Sequence, residues 1–182
     1  MTQQINHIYE RVLVSNLLFG AIGASSRNMD VFSSWLIAGF AAVAAGIFAN
    51  LGQVAHHLTP HVLHTFFICF FVTVVLGIVE KLLAVLVTGA SAGAAIGRTE
   101  GTYAAESRLE LDIPFLFSEV ERAVIWPARW FMKRSFAKAA KGDLSASARS
   151  FTRVVQIQGL CMFAQALVVL WVVGVVACGA TF

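Results

Sequence analysis

Three stretches of this chain stay free of charge, or nearly so, for long enough to cross a lipid bilayer, and that feature constrains everything else. Residues 31–51, VFSSWLIAGFAAVAAGIFANL, contain no Asp, Glu, Lys or Arg. At about 1.5 Å per residue they reach roughly 30 Å, the thickness of a hydrocarbon core. The second stretch, residues 62–97, is apolar up to Val79, meets the pair Glu80–Lys81, and runs on through LLAVLVTGASAGAAIG. No Pro interrupts it, so it predicts one helix of about ten turns, more than a bilayer requires. A start at Pro60 puts Glu80–Lys81 about 30 Å along the axis, at the far interface. The third stretch, residues 154–180, is charge-free and carries Gln156, Gln158 and Gln165.

Hydrophobic residues make up 58% of the chain and charged residues 13%. Soluble domains have roughly 45–50% and about 25%. Lipid has to cover the apolar surface that 182 residues have no core to bury. The expected fold is therefore an all-α integral membrane protein, with residues 1–182 forming one membrane domain of three transmembrane helices. Residues 5–24 and 113–141 are expected to add interfacial amphipathic helices. The second of these mixes Phe115, Phe117, Trp126, Trp130, Phe131 and Phe136 with Arg122, Arg129, Lys133, Arg134, Lys138 and Lys141. Aromatic rings and cations at helical spacing suit a layer of anionic headgroups. Pro127 should kink or break this helix, and Gly142–Asp143 should end it, with Asp143 capping the next one.

Charge sets the expected orientation. Of 13 Lys and Arg residues, all but Arg11, Arg27 and Lys81 lie between Arg98 and Arg153, whereas GQVAHHLTP, between the first two spans, has none. The positive-inside rule then places the N-terminus and the basic segment in the cytoplasm, with the histidine-bearing loop and the C-terminus outside, as in a bacterial inner membrane. The first eleven residues include Glu10 and lack the basic-then-apolar pattern of a cleavable signal peptide.

Four patterns are candidates for function. Gly89, Gly93 and Gly97 recur four residues apart among alanines, and Ala38, Ala42 and Gly46 form a similar stripe in the first span. Such faces let another helix's backbone come close. They serve packing within one subunit or assembly between subunits, and three spans offer few internal partners for two such faces. His57, His61 and His64 follow the spacing of one helical face, and imidazole is a common ligand for Zn, Cu or haem iron. No carboxylate lies in that loop to support a metal. Glu80 marks either the interface, with Lys81 snorkelling beside it, or an ion path or partner contact inside the membrane. Gln158 and Gln165 share a face and should bond to a neighbouring helix or, on a second reading, line an ion path, while Gln156 lies opposite Gln165.

Cys69, Cys161 and Cys178 sit in apolar stretches without ligand spacing and read as small apolar residues. The chain lacks a phosphate-binding Gly-rich loop with Lys, a Ser nucleophile elbow, HExxH and CxxC. No catalysis is expected, and no cofactor is required. The expected partners are an anionic bilayer together with further copies or other membrane subunits, not nucleic acid. Two rivals to the role of complex-forming subunit are a pore-like effector, of the toxin or antiviral-defence kind, and a metal- or haem-binding membrane protein.

Overall fold

The computed structural model describes residues 2–54, 56–107, 112–123, 128–139, 141, 143 and 145–179. Among these the chain is all helical, without strands. The helices are α1 (Thr2–Ala49), α2 (Leu51–Val54), α3 (Pro60–Glu106), α4 (Ile113–Ala123), α5 (Ala128–Ala139) and α6 (Ala146–Gly179). Three stretches are long and apolar enough to cross a membrane: Val12–Ala49 in α1, Pro60–Ala104 in α3 and Ala146–Cys178 in α6.

Residues 5–24 and 31–51 were expected to form separate helices, with polar residues 25–30 between them. Instead α1 continues through all of these polar residues. No Pro stops the helix, and several polar side chains find partners without leaving it. Ser26 and Ser33 bond across to α6. Asp30 accepts from Lys81, and the Ser34 hydroxyl donates to the Asp30 carbonyl.

Thr59 caps α3, its hydroxyl accepting the Val62 N–H at 3.4 Å, with Pro60 in the first position where a missing N–H costs nothing. This helix runs nine residues beyond Gly97 to Glu106. Each glycine weakens a helix by about 1 kcal/mol, which is too little to stop one that is already propagating.

The basic segment expected over residues 113–141 carries α4 and α5, and the kink or break expected at Pro127 lies outside the described residues. Asp112 caps α4, with its carboxylate accepting the Phe115 N–H at 3.0 Å. The Lys138 carbonyl closes α5 by accepting from the N–H groups of Lys141 and Asp143. Asp143 receives the Ala146 N–H on its main-chain carbonyl. Its carboxylate grips Arg149 through both oxygens at 2.8 and 2.6 Å, so α6 begins eight residues before the charge-free stretch.

By its contacts the chain divides into two compact units. The first comprises Met1–Ser25 and Leu86–Val155. In it Phe19 meets Phe151 at 6.2 Å, and Gly23 packs on Ser91. The second comprises Ser26–Val85 and Gln156–Phe182. Its apolar core is Phe40, Ala44, Phe66, Cys69 and Val172, with Phe40 edge-on to both Phe66 and Phe70 at 5.1 and 5.5 Å.

Candidate functional site: a polar ladder inside the helices

In the second unit six polar side chains lie almost wholly out of contact with the surroundings. Ser26, Ser33, Glu80, Gln158 and Gln165 are 0% exposed and Thr73 is 1% exposed. They form pairs seven residues apart, one pair on each of α1, α3 and α6. Seven residues bring a helix back to nearly the same face, about 10 Å further along. The result is a ladder of two rungs.

In the first rung the Ser26 hydroxyl donates to Gln158 Oε1 at 2.7 Å. Gln158 Nε2 donates to the Ser26 carbonyl at 3.0 Å and to Glu80 Oε1 at 2.6 Å. The carboxamide is thereby used at both ends. In the second rung the Ser33 hydroxyl donates to Gln165 Oε1 at 2.9 Å, and Gln165 Nε2 donates to the Thr73 carbonyl at 3.0 Å. The order of the rungs makes α1 and α6 parallel within this unit, with α3 antiparallel to both. Among the described residues the buried oxygens Thr73 Oγ1 and Glu80 Oε2 have no hydrogen-bond partner.

Lys81, the next residue, does something different. Its ammonium donates to Asp30 Oδ1 at 2.7 Å and to Ser34 Oγ at 2.8 Å. The Lys81 and Asp30 side chains keep 47% and 37% of their surface exposed. Two adjacent charges on α3 thus point apart, one into the helices and one along their outside. Glu80 faces the interior of the unit.

The ladder gathers Glu80, Gln158 and Gln165 from the sequence candidates, while Gln156 is exposed. Sequence reasoning missed Ser26, Ser33 and Thr73. The available signal was the repeated spacing of seven on three different helices. Gly77 is a second omission. A Cβ placed there would overlap Ile37 and lie 2.9 Å from Gln165 Nε2. Its missing side chain makes room for the second rung.

The other candidates are not brought together. Ala38, Ala42, Gly46, Gly89, Gly93 and Gly97 are all exposed, and a Cβ at any of those four glycines would meet nothing within 4 Å. His57, His61 and His64 are exposed as well. No group of three His, Cys, Asp or Glu among the described residues is placed to hold a metal ion. The spacing of the histidines puts them on one face only if the helix includes His57, and α3 begins at Pro60.

In the basic segment, Arg129 pairs with Glu121 at 3.4 Å, and the Arg134 guanidinium lies 5.6 Å from the centre of the Trp130 ring. Lys133, Lys138 and Lys141 are exposed, and Trp126 lies outside the described residues.

These features define an all-helical integral membrane protein with three candidate spans and a closed polar ladder. No known protein family, no curated protein and no solved structure matches the chain.

Proposed function

We propose that this protein is a non-enzymatic membrane subunit that assembles with further copies of itself, or with other membrane subunits, through the small-residue face of α3. The observation that carries this reading is the length of that helix set against the bilayer. The apolar stretch Pro60–Ala104 has 45 residues, about 68 Å of helix. At an average tilt of about 20° the path through a 30 Å hydrocarbon core is only about 32 Å. Roughly half of the stretch therefore lies outside the hydrocarbon. With Pro60 at one interface the other falls near Glu80–Lys81, where the exposed Lys81–Asp30 pair suits headgroups and water.

The remainder of α3 still shows large apolar side chains. Leu82, Val85 and Ile96 are 62%, 69% and 64% exposed. Apolar surface on this scale outside lipid marks a contact with protein. Gly89, Gly93 and Gly97 lie on the same part of the helix, with open space over each. Regularly spaced glycines let two backbones approach, and here a Cβ at each would meet nothing within 4 Å among the described residues.

The polar ladder supports the same reading from the other side. Its hydrogen bonds join helices of one chain, which leaves Gln158 and Gln165 turned inward and not along a water-filled path.

Gly93→Ile places a branched side chain where a second backbone would approach, at a cost of a few kcal/mol to the contact. In mild detergent the variant is expected to elute smaller than the parent, or to lose a co-purifying subunit. Elution identical to the parent, with the partner retained, refutes the proposed face.

The proposed orientation has the N-terminus and the basic segment in the cytoplasm. In a variant without native cysteines, Val54→Cys should react with a membrane-impermeant thiol reagent on intact cells, and Ser145→Cys should stay protected. The opposite labelling pattern inverts the topology.

A further inference from the structure

Ser33 and Gln165 form the second rung of the ladder, and beyond them a groove of about 430 Å³ runs between α1 and α6. Phe40, Phe66 and Val172, all buried, belong to its floor and to the apolar core. Trp35, Gly39 and Val173 lie at its more open side, and every one of its lining residues is apolar. Gly39 contributes no side chain, and a Cβ there would meet nothing within 4 Å.

The shape of the groove selects its occupant. Along α1 it extends from Trp35 to Ile47, twelve steps or about 18 Å. A volume of 430 Å³ open to the centres of water molecules over that length corresponds to a groove about 8 Å across between its walls, narrower than the roughly 10–12 Å that a helix with side chains needs. A second transmembrane helix does not enter it. A single file of methylene groups does, because carbon atoms pack at about 4 Å. Water gains little there, where the Trp35 indole N–H is the one side-chain donor in the lining. The lining belongs to the three candidate membrane spans, so the medium at the mouth of the groove is hydrocarbon.

We propose that this groove holds one acyl chain of a membrane lipid as a resident ligand. A chain on the outer surface of a helix touches protein on one side. Here it is contacted by α1, by α6 and by Phe66 of α3 beneath, and dispersion contacts add with every wall. That difference separates a held chain from the lipids that exchange around the protein.

The test uses the full-length protein in phosphatidylcholine bilayers doped with phosphatidylcholine that bears a photoactivatable diazirine on its palmitoyl chain. Peptides containing Val43 and Val173 should be labelled several-fold more than those containing Phe71 or Leu160, which are 69% and 67% exposed outside the groove. Gly39→Phe fills the groove and should abolish the excess while leaving Phe71 and Leu160 unchanged. Val173→Phe is a second variant, entering from α6, in case the first fails to fold. Equal labelling at all four positions would show exchanging lipid only and overturn the proposal. An excess that survives both filling variants would overturn it too, as would labelling at Val43 and Val173 below that at Phe71 and Leu160, the result of a second copy covering the groove.

Discussion

Gln158→Leu is expected to be the most damaging single change at the ladder, costing about 3 kcal/mol, because it leaves a buried carboxyl and a buried hydroxyl unsatisfied at about 1–3 kcal/mol each. The substitution removes both donors and the acceptor of the first rung together. Glu80 is then left with neither carboxyl oxygen bonded, because Oε2 has no partner even in the parent. Native domains hold only about 5–15 kcal/mol in reserve, so the folded population should fall visibly. Gln165→Leu is the comparison. It strands only the neutral Ser33 hydroxyl, since the Thr73 carbonyl retains its place in the helix. Its expected cost is about 1–2 kcal/mol, in line with single hydrogen bonds between membrane helices.

Thermal or denaturant unfolding in mild detergent, followed by helix content, would rank the two. Removing both sides of the first rung, as Glu80→Leu with Gln158→Leu, should recover part of the loss, because no carboxyl is then left stranded. Equal costs for Gln158→Leu and Gln165→Leu, or no recovery in the double variant, would mean that Glu80 does not depend on Gln158.

The membrane class was legible from charge-free length, since residues 31–51 and 154–180 are each long enough to cross a hydrocarbon core. Helix boundaries were less so. Polar residues 25–30 look like a connection in the sequence, yet Ser26 and Asp30 keep their place in α1 through partners on α6 and α3. A tertiary hydrogen bond leaves no local trace, so this continuity was out of reach. Glu80 illustrates the same limit. Its distance from Pro60 gives its height along α3, while its direction depends on where Gln158 stands, and sequence spacing within one helix says nothing about that. The glycines separate along a similar line. Regular spacing drew attention to Gly89, Gly93 and Gly97, where an added Cβ would meet nothing within 4 Å among the described residues, while at the isolated Gly77 and Gly23 it would come into close contact. A repeated small-residue face is suited to a long, continuous neighbour, whereas one close approach at a hydrogen-bonded rung needs only one glycine.

Gly77 yields the other large effect. An added Cβ overlaps the end of the Ile37 side chain and falls 2.9 Å from Gln165 Nε2. Ile37 can swing its terminal methyl aside at modest cost. The Gln165 carboxamide cannot, because Ser33 holds its oxygen and the Thr73 carbonyl holds its nitrogen. Gly77→Ala should therefore destabilise by about 1–3 kcal/mol, the usual range for overpacking a filled site. This outweighs the gain of up to about 1 kcal/mol that alanine brings to a helix interior. Gly77→Val should cost more, since its branched side chain adds two further carbons close to the backbone beside these neighbours. Gly101→Ala, on the same helix with nothing within 4 Å of an added Cβ, isolates the propensity term and should be neutral or stabilising. Combining Gly77→Ala with Gln165→Leu discriminates the cause. Once the carboxamide is gone, the glycine no longer needs to be small on its account, and the two costs should add to less than their sum. Strict additivity would place the clash on Ile37 and the helix backbone, and would remove Gly77 from any role in seating the second rung.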